Sequence, residues 1–236
     1  MKKHKIVCNI IFGLLFGSII LWPNPTKGQD VVLAGNYDGT HFDLSYAEIG
    51  FDSSGHTSAW GANFTVAGSG DFNLTQVIMP LFVSAVMGGT PNPANYQMSV
   101  VSDNAGQPTG DLVGSFTPGV LSSSMGNYAY DITGVVHGGA NYWLLFQPIA
   151  PDSGNIGWNL ASSPMYPGTG YVAERWSDSG VPTMAWAISG GSGSVQSAFL
   201  LEGTAVVPEP SSYILVSLGL MWFMFCRNSF RKTTMT

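Results

Sequence analysis

Apolar side chains in the middle of the chain recur at every second position. Tyr96, Met98 and Val100 alternate with polar or smaller residues in one segment, and Tyr142, Leu144 and Phe146 do so in another. A period of two places side chains on one face of a β-strand. The chain also contains 30 glycines and 14 prolines, which weaken helix interiors. The pattern therefore predicts antiparallel strands and excludes a helical bundle.

About ten segments of this kind follow one another, separated by turns rich in glycine, proline, asparagine and aspartate. Many short strands at this spacing are typical of a β-sandwich, and we expect a jelly-roll-like one. The predicted strands are 59–68, 72–83, 95–102, 111–117, 128–133, 141–148, 155–161, 170–176, 183–188 and 197–203.

The N-terminus has the three parts of a secretory signal peptide. Lys2, Lys3 and Lys5 precede an apolar run from Ile6 to Trp22, and a proline-containing break follows it. Residues 1–28 are therefore predicted to form a helical signal peptide that directs export. The alternative is an uncleaved membrane anchor.

The part of the chain between the two ends is strongly acidic. Residues 29–207 contain thirteen carboxylates against one cation, Arg175, which gives a net charge of −12. Such a surface repels nucleic acid and anionic membranes, and it either attracts cations or simply keeps the protein soluble. Cys8 and Cys226 lie in the apolar ends, so this part can form no disulfide and no thiolate site.

The C-terminus combines an apolar run with a basic end. Tyr213 to Cys226 is an uncharged apolar run of 14 residues, and a transmembrane helix is predicted at about 211–226. Arg227, Arg231 and Lys232 follow it, and the positive-inside rule places these membrane-stop cations on the cytoplasmic side. The alternative is a buried C-terminal strand or helix.

With the triplet Pro208, Glu209 and Pro210 ahead of the apolar span, this tail resembles the PEP-CTERM sorting signal of Gram-negative bacteria. The resemblance covers about the last 30 residues, 206–236. It implies recognition and removal of the tail by an exosortase, a membrane protease-transpeptidase. It also implies an association with exopolysaccharide and biofilm, and it makes the triplet a substrate motif.

The middle of the chain resembles the choice-of-anchor R domain, an extracellular bacterial β domain. The similarity runs from "ANFTV" through "YQMSVVSDNAGQPTGDLVGSF" to "GGANYWLLFQP" and "GWNL", over residues 59–161. It carries no established activity. The predicted organisation is thus a signal peptide at 1–28, an extracellular β domain at 29–205 and a sorting and anchor segment at 206–236.

Residues capable of catalysis or metal binding are present, but they form no recognised motif. The histidines His41, His56 and His137 lack metal-ligand spacing, and no serine lies in a G-x-S-x-G elbow. We therefore expect no enzyme, no cofactor and no catalytic residue, with a hydrolase as the less favoured alternative. Calcium is the one ion with some support, because Asp103, Asp111 and Asp152 lie in turn-like loops. Ordinary turn chemistry is the favoured explanation of them.

Five tryptophans could stack on sugar rings or fill the core. Trp143 alternates with Tyr142 and Leu144, so one of these two sets is expected to point away from the buried face of its sheet. The five tryptophans are Trp60, Trp143, Trp158, Trp176 and Trp186.

The sequence as a whole therefore predicts an exported surface or matrix protein with a structural or adhesive role. A carbohydrate- or calcium-binding module is the alternative.

Overall fold

The computed structural model describes residues 29–38, 45–51, 56–84, 89–151, 154–161, 168–177, 184–190 and 196–206. Within these ranges the chain forms β-strands and one short 3-10 turn at Pro93–Asn95, and it contains no α-helix. The all-β prediction is confirmed. The strands are β1 Val31–Gly35, β2 Tyr46–Phe51, β3 Thr57–Thr65, β4 Asp71–Ser84, β5 Tyr96–Ser102, β6 Leu112–Phe116, β7 Gly126–Asp131, β8 Val135–His137, β9 Asn141–Pro148, β10 Asn155–Asn159, β11 Gly168–Ser177, β12 Ala187–Gly190 and β13 Leu200–Ala205.

The strands form one curled antiparallel sheet in the order β1-β13-β4-β10-β2-β3-β9-β5-β6. β11 pairs with β3 and extends the sheet to β12, while β7 and β8 pair with β4. The 14-residue β4 connects two parts of the sheet, because its first part pairs with β13 and its last part pairs with β10.

The main core collects side chains from both ends of this strand order. Phe64 of β3 packs against Tyr142 of β9, with ring centroids 5.9 Å apart, and against Phe199 before β13, at 5.5 Å. Each large apolar side chain that is fully buried contributes about 1.5–3 kcal/mol. The alternating sets Tyr96, Met98, Val100 and Tyr142, Leu144, Phe146 all belong to this core, as predicted.

A second cluster covers the opposite face of β9. Trp143 and Leu145 pack there with Val101 and Ala173, and each of the four is at most 8% exposed. Trp143 and its neighbours do point to opposite faces, as the alternation predicts. The outer face is nevertheless covered, because β11 and β12 bring a second apolar layer to it. β9 is therefore buried on both faces.

The two predicted end segments, 1–28 and 206–236, fall almost entirely outside the residues that the structure describes. The signal peptide at 1–28 and the tail with its helix at about 211–226 lie outside the described residues. Within the described ranges, no helix is long and apolar enough to span a membrane.

Candidate functional site

The tryptophans are mostly structural. Trp143 is 1% exposed and Trp158 is fully buried, and each indole N–H donates a hydrogen bond: Trp143 Nε1 to Asp103 Oδ1 at 2.6 Å, and Trp158 Nε1 to the carbonyl of Ala198 at 2.8 Å. These two side chains cannot stack on a sugar. Trp60 is half-buried against the main core, and the side chain of Trp176 lies outside the described part of the chain.

Trp186 is half-buried, and the guanidinium of Arg175 packs over its ring. The guanidinium carbon lies 4.7 Å from the ring centroid, and one guanidinium N–H donates to Gln147 Oε1 at 2.6 Å. Burial lowers the pKa of Arg175 and raises the pKa of the adjacent Glu174. Because the ring is covered by the guanidinium on one side and packs on the second cluster, it offers little free face to a ligand.

Among the acidic loop residues, Asp103 behaves as a turn residue. Asp103 Oδ2 accepts a hydrogen bond from the backbone N–H of Gly106 at 3.0 Å, while Oδ1 holds Trp143. The turn interpretation is therefore confirmed for Asp103. Asp111 is exposed near the other end of the same loop, and Asp152 lies outside the described residues. No group of three or more His, Cys, Asp or Glu side chains suited to a metal ion occurs in the described ranges.

One of the predicted histidines, His137, lies against a carboxylate. His137 Nδ1 lies 2.6 Å from Asp71 Oδ1, across the β4–β8 pair, and both side chains are more than half exposed. His56 is exposed at the start of β3, and His41 lies outside the described residues.

An arrangement that the sequence did not predict lies on the outward face of β2, β10 and β4. Glu48, Gly157 and Phe82 face one another in register across these three strands. Ile156, next to Gly157, points into the main core. Because side chains alternate along a strand, Glu48 and Phe82 point to the other side of the sheet.

The ring of Phe82 lies directly over the backbone of Gly157. A Cβ atom at position 157 would lie 2.3 Å from Phe82 Cε1 and Cζ, so only glycine lets the ring cover this point of β10. The ring reaches diagonally to Tyr46 on β2, where the two rings meet edge to face at 85° with centroids 4.9 Å apart. Tyr46 and Phe82 are both half-buried.

Glu48 crosses β10 on the other diagonal. Its Oε1 accepts a hydrogen bond from Ser84 Oγ at 3.1 Å, and no other hydrogen bond to this carboxylate is found among the described residues. Glu48 is half-buried, whereas Ser84 is fully buried. Tyr46, Glu48, Phe82 and Ser84 together are called the outer aromatic patch.

The predicted sorting residues are not described by the structure. Pro208, Glu209 and Pro210, and the cations Arg227, Arg231 and Lys232, all lie beyond residue 206. Their roles stay predictions from the sequence.

No protein-family model matches the chain, and no curated protein matches it.

Proposed function

We propose that this chain is an exported bacterial protein of the cell surface or extracellular matrix, with a structural or adhesive role in exopolysaccharide or biofilm. The observation that carries the proposal is the three-part C-terminus, in which the triplet at Pro208–Pro210, the apolar span and the basic end occur in the order of a sorting signal. The signal-peptide pattern at 1–28 supports export by the same chain.

In this proposal the two ends are helices and the domain between them is a β-sandwich of jelly-roll type, and the resemblance to the choice-of-anchor R domain supports its being an extracellular β domain. The main core supports the sandwich, because β4, β13 and β1 contribute to it from one side and β3, β9 and β5 from the other. The domain stands outside the inner membrane while the tail anchors it. Exosortase is the processing partner, and the processed protein is then at the surface or released.

The net charge of residues 29–207 supports a role in contact with solvent and with uncharged polymers. A net charge of −12 keeps the domain soluble and disfavours nucleic acid. The second candidate function is carbohydrate binding, and the outer aromatic patch is the observation that favours it.

Processing of a Glu209→Ala variant tests the sorting signal. Proline fixes φ and disfavours helix in the residue before it, so the sequence predicts an extended segment around Glu209 that a protease would bind. In a host with an exosortase, wild type is expected at the mass of the processed form and Glu209→Ala at full length in the membrane. Mass spectrometry of the cell-associated protein makes the comparison. Glu202→Ala, the same substitution within the domain, serves as the control and should be processed normally. Equal processing of wild type and Glu209→Ala would reject recognition through Glu209.

A further inference from the structure

We propose that the outer aromatic patch binds a neutral polysaccharide. The proposal rests on the proposed surface function and names the polymer class that the domain contacts. The binding residues are Tyr46, Phe82 and Glu48, held in place by Gly157 and Ser84.

The aromatic pair forms a preorganised corner. The absence of a side chain at Gly157 leaves room for the ring of Phe82, and Tyr46 meets this ring edge to face at 85°, so the two half-buried rings stand at right angles to each other. The face of an aromatic ring is its negative side, and it attracts the weakly positive C–H groups of a sugar ring. Because both side chains already pack on each other, a ligand orders little that is not ordered before binding.

Glu48 provides hydrogen-bond acceptors beside this corner. An ionised carboxylate has about four acceptor positions, and Ser84 Oγ occupies one of them at 3.1 Å. This hydrogen bond holds the carboxylate across β10 and leaves acceptor positions for the hydroxyl groups of a sugar. Hydrogen bonds from a hydroxyl group to an ionised acceptor are stronger than those between neutral groups.

The charge of the domain selects among polysaccharides. Glu48 and the net charge of −12 repel the carboxylates and sulfates of acidic polymers, and the one cation of residues 29–207, Arg175, is occupied by Trp186 and Gln147. The patch therefore favours neutral hexose polymers over acidic ones.

Affinity electrophoresis of the full-length chain in a mild non-ionic detergent tests this proposal. Gels contain dextran, mannan or galactan as neutral polymers, or alginate as an acidic one. Wild type is expected to be retarded by at least one neutral polymer and not by alginate. Tyr46→Ala and Glu48→Gln are each expected to weaken that binding by about tenfold, the effect of losing one good contact.

Two matched controls accompany these variants. Tyr171→Ala removes a tyrosine that is 44% exposed on β11, and Glu202→Gln neutralises a carboxylate on β13. Both should bind as wild type does. Tryptophan emission checks folding, since Trp143 and Trp158 are buried and neither belongs to the patch, and Glu48→Gln preserves side-chain volume if Tyr46→Ala proves unstable.

Three outcomes overturn the proposal: no retardation by any of the neutral polymers, retardation by alginate instead, or neutral-polymer binding that survives both patch variants. The assay does not depend on export. A protein that is sorted correctly but binds no neutral polymer rejects the patch alone, whereas a protein that binds but is never exported rejects the proposed function alone.

Discussion

At the scale of the residue, Asp103 joins a surface turn to the second apolar cluster. One carboxylate oxygen accepts the indole N–H of Trp143 at 2.6 Å, and the other accepts the N–H of Gly106 at 3.0 Å. The turn needs this support, because Ala105 and Gly106 both have positive φ and Ala105 carries the steric cost of that conformation.

Replacing Asp103 by alanine is expected to lower the free energy of unfolding by about 2 kcal/mol. The change removes two hydrogen bonds to a charged acceptor and leaves the N–H of a buried tryptophan without its partner. Denaturant unfolding of the full-length protein in mild detergent, followed by tryptophan emission, measures the loss.

Asp111→Ala is the matched control in the same loop. Its carboxylate is exposed and makes no hydrogen bond in the described part of the chain, so the expected change is about 0.5 kcal/mol or less. Equal losses in the two variants would show that the contact with Trp143 contributes nothing specific.

At the scale of the element, β9 organises the domain because both of its faces are buried. Leu144 points into the main core, and Leu145 points into the second cluster, where it lies over Gly61 with Cδ2 only 2.5 Å from the position of a Cβ there. A strand of this kind must be apolar throughout, and "YWLLF" is.

Leu144→Ala and Leu145→Ala are therefore expected to destabilise the protein by similar amounts, about 2–5 kcal/mol each. The two residues are neighbours of the same type, so each serves as the control for the other. Chemical denaturation of both variants measures the loss. If the outer face were open to water, Leu145→Ala would cost about 0.5 kcal/mol, and that result would contradict the second apolar layer.

Much of this element structure is readable in the sequence, and the exceptions have physical reasons. The sequence predicted ten of the described strands, with clear alternation in several of them, including β5 and β9, although the predicted strand 183–188 overlaps β12 at only two residues. The sequence did not predict β1, β2 and β8. β8 has only three residues, and one of the inward positions of β2 is Ala47, whose single methyl group makes the apolar alternation of that strand weak. The outer aromatic patch depends on β2, and Phe82 lies in a continuous apolar run where a period of two is not visible.

The burial of Trp143 could not be predicted for a different reason. Alternation correctly predicted that Trp143 lies on the other face of β9 from Tyr142. The residues that bury it, however, are in β11 and at Trp186, more than 25 residues further along the chain. Its hydrogen bond to Asp103 likewise spans 40 positions. Local alternation predicts the face of the strand on which a side chain lies. The residues that it contacts depend on which distant strands pair with that strand.

At the scale of the whole molecule, the acidic charge and the apolar ends divide the chain into parts of different composition. Residues 29–207 carry the net charge of −12, and both cysteines lie in the apolar ends. A single new cysteine in the domain is therefore a specific reporter of where the domain lies. Val120 suits this purpose, because it is 88% exposed in a loop between β6 and β7.

Labelling of a Val120→Cys variant with a membrane-impermeant maleimide in intact spheroplasts tests the proposed export most directly. The domain is expected to be labelled without lysis, because the proposed function places it outside the inner membrane, while wild type under the same conditions is expected to remain unlabelled. A cytoplasmic thiol protein that labels only after lysis verifies that the spheroplasts are closed. Labelling of Val120→Cys only after lysis would place the domain in the cytoplasm and contradict the proposed function.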